Sequence, residues 1–416
     1  MVSSRTHVGL ATFFVLAAML PAQKLGPVPQ PKENPLTAEK AVLGKTLFWD
    51  EQLSSDDSMA CGTCHRPAQG GTDPRMLRHA GKDGDLLTAD DVFGSPGVPV
   101  EESKERSLIA DLLRQTHKVT SRVALSNLTA QYAPDLFWDG RASGTFKDPL
   151  TGEVLIKSGG ALESQSLVPI ISTTEMSHEK RTWAGVVGKL EKAKPLGLAT
   201  NIPPDVAKVI AANSSYGKLF AAAFGDPKIT PARIAFAIAS YERTLVPDQT
   251  QYDRYVAGDR KALTKNQIEG LDYFRRFRCA QCHKPPMFTD HSFRSIGLRQ
   301  NHEDLGRGSV TGKSRDAGKF KVPSLRNVGL KPRLMHNGRF ADLTATLRVY
   351  RFPNRYPNID PLMERGLLVN HRANDKTPML DFLKNGLTDP RVANEEYPFD
   401  RPVLKSERDK SAGSPR

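Results

Sequence analysis

The stretch "MACGTCHRPAQGGTD" (residues 59–73) sets two cysteines and a histidine in the spacing C-x-x-C-H, and "RCAQCHKPPMFTD" (residues 278–290) repeats it. The two sites use all four cysteines of the chain, Cys61, Cys64, Cys279 and Cys282, so none remains for a structural disulfide. Two cysteines three apart lie on one side of a helical turn, where each thiol can form a thioether with a haem vinyl. The histidine that follows is then held within reach of the iron. This reading assigns Cys61, Cys64 and His65 to one covalently bound haem c, and Cys279, Cys282 and His283 to a second. A zinc site pooling the four thiolates would leave both histidines unexplained. A thioredoxin-like site needs neither the histidine nor a duplicate, and no βαβ pattern surrounds either motif.

Outward from these sites the chain reads as an internal duplication. "LTAEKAVLGKTLFWDEQL" leads into the first and "LTKNQIEGLDYFRRFR" into the second. Each has Leu-Thr, a Gly and then an aromatic, and the Thr is placed to cap a helix entering the site. Thr264 has Gln267 three residues on, which predicts a capping box, whereas Thr37 has Lys40 there and predicts a plain cap. A second echo follows each site, in "ALSNLTAQYAPDLFWDGRA" (124–142) and "PSLRNVGLKPRLMHNGRF" (323–340). Between them "PARIAFAIASYERTLV" (231–246) has apolar residues at helical spacing, with Thr230 as cap and Pro231 in the first turn. Strand alternation is scarce, so the fold expected is mainly α, two related domains with long loops. Residues 80–120 read as a charged surface insertion carrying one helix near "ESKERSLIADLLRQ", and 145–163 as a second insertion. The expected boundaries are 35–245 for the first haem domain and 258–395 for the second, with a disordered tail over 402–416.

The chain has 416 residues, room for two or three domains. It begins with a short basic stretch, an apolar run over residues 8–20 and "PAQ", the pattern of a secretory signal cut after Ala22. An uncleaved anchor is the alternative. With no other long apolar run, a soluble periplasmic protein is expected, with no membrane span after cleavage. The net charge of +13 is scattered among acidic residues rather than gathered in runs with aromatics. That pattern argues against nucleic acid and fits a solvated basic surface, or steering toward an acidic protein.

Over roughly residues 36–390 the sequence resembles the bacterial di-haem cytochrome c peroxidase/MauG family. The landmarks are "LGKTLFWDEQLS", "FWDGRA", "LESQSLVPIISTTEM", "ERTL", "CAQCHKPPMFTD" and "FKVPSLRNVGL…HNGRFADL", in that order around the two C-x-x-C-H sites. The resemblance implies two cytochrome c-like domains with one haem each. Hydrogen peroxide is reduced at the N-terminal haem, and electrons reach it through the C-terminal one. It implies that Glu175 is a distal acid–base catalyst, that Gln165 hydrogen-bonds the iron ligand, and that Trp138 relays electrons between the haems. Without it, Glu175 and Gln165 would be ordinary surface residues and Trp138 a packed core aromatic. It also implies that haem 2 carries a sixth ligand near Tyr350. The peroxidase branch has methionine there and the MauG branch tyrosine, so Tyr350 points to the latter, with Met335 or Met363 as the alternative. His336 falls in a landmark and is expected to contact haem 2 or its propionates rather than the iron.

Three departures from the family pattern matter. His79 lies near, but not at, the place of the loop histidine that can cap haem 1, and is expected to be a surface residue. The positions implied to hold an interdomain calcium carry Val123, Lys331 and Arg333, a poor setting for an oxygen-loving dication, so calcium is doubtful and the Lys331 charge is a candidate replacement. Phe277 stands where the MauG branch can have a surface tryptophan. His117, His178, His291, His302 and His371 have no motif support and are expected on the surface or hydrogen-bonded in the core. Three functions are therefore expected in competition: a peroxidase fed by a small cytochrome c or copper protein, a MauG-like enzyme oxidising side chains of a protein substrate, and a non-enzymatic di-haem electron carrier.

Overall fold

Thr37 and Thr264 each start a helix that leads into a C-x-x-C-H site, as their spacing predicts. In the computed structural model, which describes residues 24–100, 116–299, 302–364, 367 and 377–412, Thr37 Oγ1 accepts from Lys40 N at 3.2 Å and opens the helix Ala38–Phe48. Thr264 and Gln267 cap each other's backbone N–H at 3.1 and 2.9 Å and open Lys265–Arg276. Thr230 caps Pro231–Glu242 in the same way. The glycine shared by the two repeats has one purpose in both. A Cβ on Gly44 would lie 1.9 Å from the Ala237 carbonyl oxygen, and one on Gly270 would lie 2.1 Å from that of Pro378. Each entry helix thus packs backbone to backbone on a second helix, Pro231–Glu242 or Thr377–Asp381, which only glycine permits.

Two main hydrophobic cores result. One gathers residues from Leu43 to Leu245 together with Val392, Phe399 and Leu404, and the other runs from Tyr252 to Leu387. The described chain is mainly helical, with four two-stranded antiparallel ribbons as its sheets. The second echo in the sequence is a real structural repeat. Leu136 N donates to Ala142 O and Leu334 N to Phe340 O, both at 2.8 Å, closing matching turns with Gly140 and Gly338 at positive φ. Trp138 and His336 hold the same place in these two turns.

Two expectations need correction. Residues 402–412, expected in a disordered tail, form an ordered strap. Val403 pairs with Thr200, Leu404 is fully buried in the first core together with Val392 and Phe399, and Lys405–Ala412 is helical. Glu407 holds Arg66 at 2.6 Å and Arg401 at 2.9 Å, and Glu51 accepts from Lys405 N and Ser406 N at that helix start. The chain therefore leaves the second core and returns to the first. Its polar residues masked one anchoring leucine and a carboxylate, one of whose partners, Arg66, lies far away in sequence. The insertion over 80–120 is not confined to the surface either, for Val98 is fully buried and its N–H donates to Glu175 O at 3.0 Å. The expected signal segment 1–22, the helix expected over 102–115 and His371 lie outside the described residues.

Candidate functional site

Each C-x-x-C-H opens into a cavity, and the chain orients the histidine the same way in both. His65 N and His283 N donate to Cys61 O and Cys279 O at 3.1 and 2.9 Å, wrapping each motif into one turn. His65 Nδ1 meets Gly71 O at 3.1 Å, while His283 Nδ1 meets Phe288 O and Pro323 O at 3.1 Å each. A ring nitrogen facing carbonyls must carry the proton, so Nε2 keeps its lone pair in both. Burial reinforces this by lowering the pKa of both rings, that of His283 to about 4. The four thiols are free of disulfides, and burial pushes Cys61 and Cys279 up to about 12.

The first cavity is lined by Cys64, His65, Gln165, Glu175, Arg141, Glu242 and Trp138 among others. Gln165 rides on the helix Ala161–Ile171. That helix is pinned by its own Glu163, whose carboxylate takes both Nη atoms of the buried Arg243 at 2.7 and 3.1 Å. Glu175 follows on a turn held by Val98. Its carboxyl is raised above the ordinary range by burial, with Ser172 and Arg141 pulling the other way. The structure thus brings Glu175, Gln165 and the first cysteine–histidine motif to one cavity.

The second cavity is lined by Cys279, Cys282, His283, Tyr350, His336 and Trp138 among others, and Met335 and Met363 border it too. Tyr350 sits on the helix Leu343–Arg351. Burial raises its phenol, with the Cys279 and Cys282 thiols adding to the shift. His336 is buried with Nε2 unpartnered. Its ring stacks on Phe320 with centroids 3.5 Å apart, and burial lowers its pKa to about 3. Arg299, Lys331 and Arg333 border the same cavity and could pair with haem carboxylates. Cysteine thiols and an imidazole with a free Nε2 in each cavity fit a haem at each motif, the second cavity being mostly apolar and the first carrying polar groups such as Gln165, Glu175 and Arg141 as well.

Trp138 lines both cavities. Its Nε1 donates to Val123 O at 2.9 Å, and Val123 N donates to His336 O at 3.0 Å. Arg122 clamps the junction from the side, holding Asp139 at 2.6 Å and Asp304 at 2.7 Å.

His79 is a correction: it is half-buried and lines the first cavity, its Nδ1 accepting from Gly81 N. His178 pairs with Ser55 at 2.7 Å. Sequence reasoning missed Glu242 as a cavity residue, although it stands in the "ERTL" landmark. It is 3 % exposed, and burial raises it to about 8, partly offset by Asn127.

A family model described as di-haem cytochrome c peroxidase matches residues 38–261. The methylamine utilization protein MauG of Methylophilus methylotrophus is 32% identical over 329 residues, covering 78% of this chain and 76% of that one. The cytochrome c551 peroxidase of Nitrosomonas europaea is 28% identical, covering 79% of this chain and 76% of that one. Among solved structures, a MauG-like protein associated with microbial copper homeostasis superposes with a TM-score of 0.65 at 23% identity, over 94% of this chain and 98% of that one. The family match and its named relatives place the chain among di-haem oxidoreductases. The chain belongs to the di-haem cytochrome c peroxidase family, whose named members include both peroxidases and MauG.

Proposed function

We propose that the protein is a periplasmic enzyme that reduces hydrogen peroxide at its N-terminal haem, drawing electrons through its C-terminal haem from a small cytochrome c or copper protein. Cys61, Cys64 and His65 would hold the first haem c, and Cys279, Cys282 and His283 the second. Bound there, the haems supply iron centres that can take up peroxide and cycle between oxidation states. The carrying observation is that Glu175 and Gln165 share a cavity with His65. Glu175 would take a proton from the bound peroxide and return it to the leaving oxygen. Gln165 orients the peroxide by its amide, and Trp138 gives a path between the cavities. Glu175→Gln keeps the shape but cannot take up a proton. It should slow turnover by roughly 10²–10⁴-fold and abolish the fall in rate as pH drops below the raised carboxyl pKa, with both haem spectra intact. Wild-type rates in that variant would remove Glu175 from the mechanism.

A second reading, oxidation of a protein substrate in the manner of MauG, is favoured by Tyr350 lining the cavity of Cys279, Cys282 and His283. A phenolate ligand stabilises ferric and higher states and lowers the potential of the second haem. Phe277 weakens this reading. It is 3 % exposed and stacks on Tyr273, so it offers no surface indole for the substrate. Both readings leave calcium out, because Lys331 and Arg333 put cations at the implied positions.

A further inference from the structure

A small pocket of about 20 Å³ lies between the two halves, walled by Thr129, Ala133 and Leu136 on one side and His291, Lys321 and Lys331 on the other. That space suits one water-sized body. Two polar atoms at it are orphaned. Lys321 is 5 % exposed and its Nζ has no hydrogen-bond partner, its nearest neighbour of note being the Phe293 ring at 5.6 Å. His291 Nδ1 is likewise buried and unpartnered. The hydroxyls at the rim are committed, Ser126 donating to Gly70 O and Ser324 to Met287 O.

Among the described residues no carboxylate pairs directly with Lys321, although Arg294 holds Asp360 at 2.7 Å as well as Asp290. Asp135 and Asp290 are the carboxylates that face Lys321, but Arg307 holds Asp135 at 3.7 Å and Arg294 holds Asp290 at 2.8 Å. Among the described residues no carboxylate pairs with Lys321 or Lys331. Buried ammonium groups without a counter-charge are strongly unfavourable. A water could satisfy the hydrogen bonds and would leave both charges uncompensated.

We infer that this pocket binds a small monovalent inorganic anion of halide size, held by the Lys321 ammonium and the His291 ring N–H, with Lys331 supplying a second positive charge. Burial lowers both lysines to about 8, the behaviour of amines that lack an anion. The pocket is too small for sulfate or phosphate. Its walls come from both halves of the chain, so an occupant would pin them together. Lys321 and Lys331 also border the second cavity, which makes a haem carboxylate the competing source of negative charge.

The test uses the holoprotein crystallised in sodium bromide, with diffraction measured at the bromine edge. One anomalous peak within hydrogen-bonding reach of Lys321 Nζ is expected, and it should vanish in Lys321→Met. In solution, exchanging chloride for gluconate at constant ionic strength should lower the thermal midpoint of the wild type and leave Lys321→Met and Lys321→Gln unmoved. A water or a haem carboxylate oxygen on Lys321 with no bromide peak would overturn the inference. So would equal anion sensitivity in wild type and variants. If Lys321→Met does not assemble, the wild-type bromide map and Lys321→Gln decide.

Discussion

The Trp138 indole meets the His336 imidazole edge to face, with ring centroids 6.3 Å apart and planes at 65°. The same two residues occupy equivalent positions in the duplicated turn, and Val123 joins them, its carbonyl taking the indole N–H and its own N–H serving the His336 carbonyl. Duplication has thus placed two copies of one turn against each other at the boundary between the cavities.

Trp138→Phe keeps an aromatic ring but loses the bond to Val123. Electron transfer between the haems after peroxide is added should slow on the order of 10-fold or more, while haem content stays at two per chain. Rapid-mixing absorbance spectroscopy reads this directly. An unchanged rate would show that electrons cross elsewhere.

On the reading that Tyr350 ligates the second haem, Tyr350→Met would swap an anionic oxygen ligand for a thioether. The potential of the second haem should rise and a methionine–iron charge-transfer band should appear. A spectrum unchanged from wild type would show that Tyr350 packs without ligating, and attention would pass to Met335 and Met363, which border the same cavity.

Glu242 carries a pH signature. Burial raises its carboxyl to about 8 in the native protein, while the unfolded chain releases that proton near 4.3. The native state therefore holds the extra proton in between. The associated stability is full below about pH 4.3 and is lost as pH rises toward 8. Glu242→Gln should flatten that part of the decline. Thermal midpoints of wild type and variant, compared from pH 5 to 8, check the sign. Parallel curves would mean that Glu242 ionises normally.

Leu404 anchors the C-terminal strap to the first core, where it is fully buried. Leu404→Ala should cost about 2–4 kcal/mol in denaturant unfolding of the holoprotein. Glu407→Gln should cost less, because the amide oxygen can still accept from Arg66 and Arg401, and Arg401 keeps Glu395 at 2.7 Å. A neutral Leu404→Ala would mean that the strap does not support the first core.

Much of this architecture was legible because it rests on local rules. The caps at Thr37, Thr230 and Thr264 are short-range hydrogen bonds, and the shared glycine marks a helix crossing. The repeated turns carry their own Gly-Arg signature. What escaped depended on distant partners. Glu407 looks like one charge in a polar tail until Arg66, hundreds of residues earlier, comes beside it. His79 and Val98 sit in a charged, Gly/Pro-rich segment, and only the fold turns His79 toward the first cavity and buries Val98 in the first core. Glu242 ends a core helix, and nothing in its spacing shows that Asn127 and a cavity meet it there.

The most direct test of the central claim is an EPR and optical titration of the purified di-haem protein with stoichiometric hydrogen peroxide. The account predicts a high-spin ferric haem that reacts, beside a low-spin haem without a methionine–iron band. Two low-spin haems that stay inert to peroxide, before and after reduction of the second, would contradict it and leave an electron carrier.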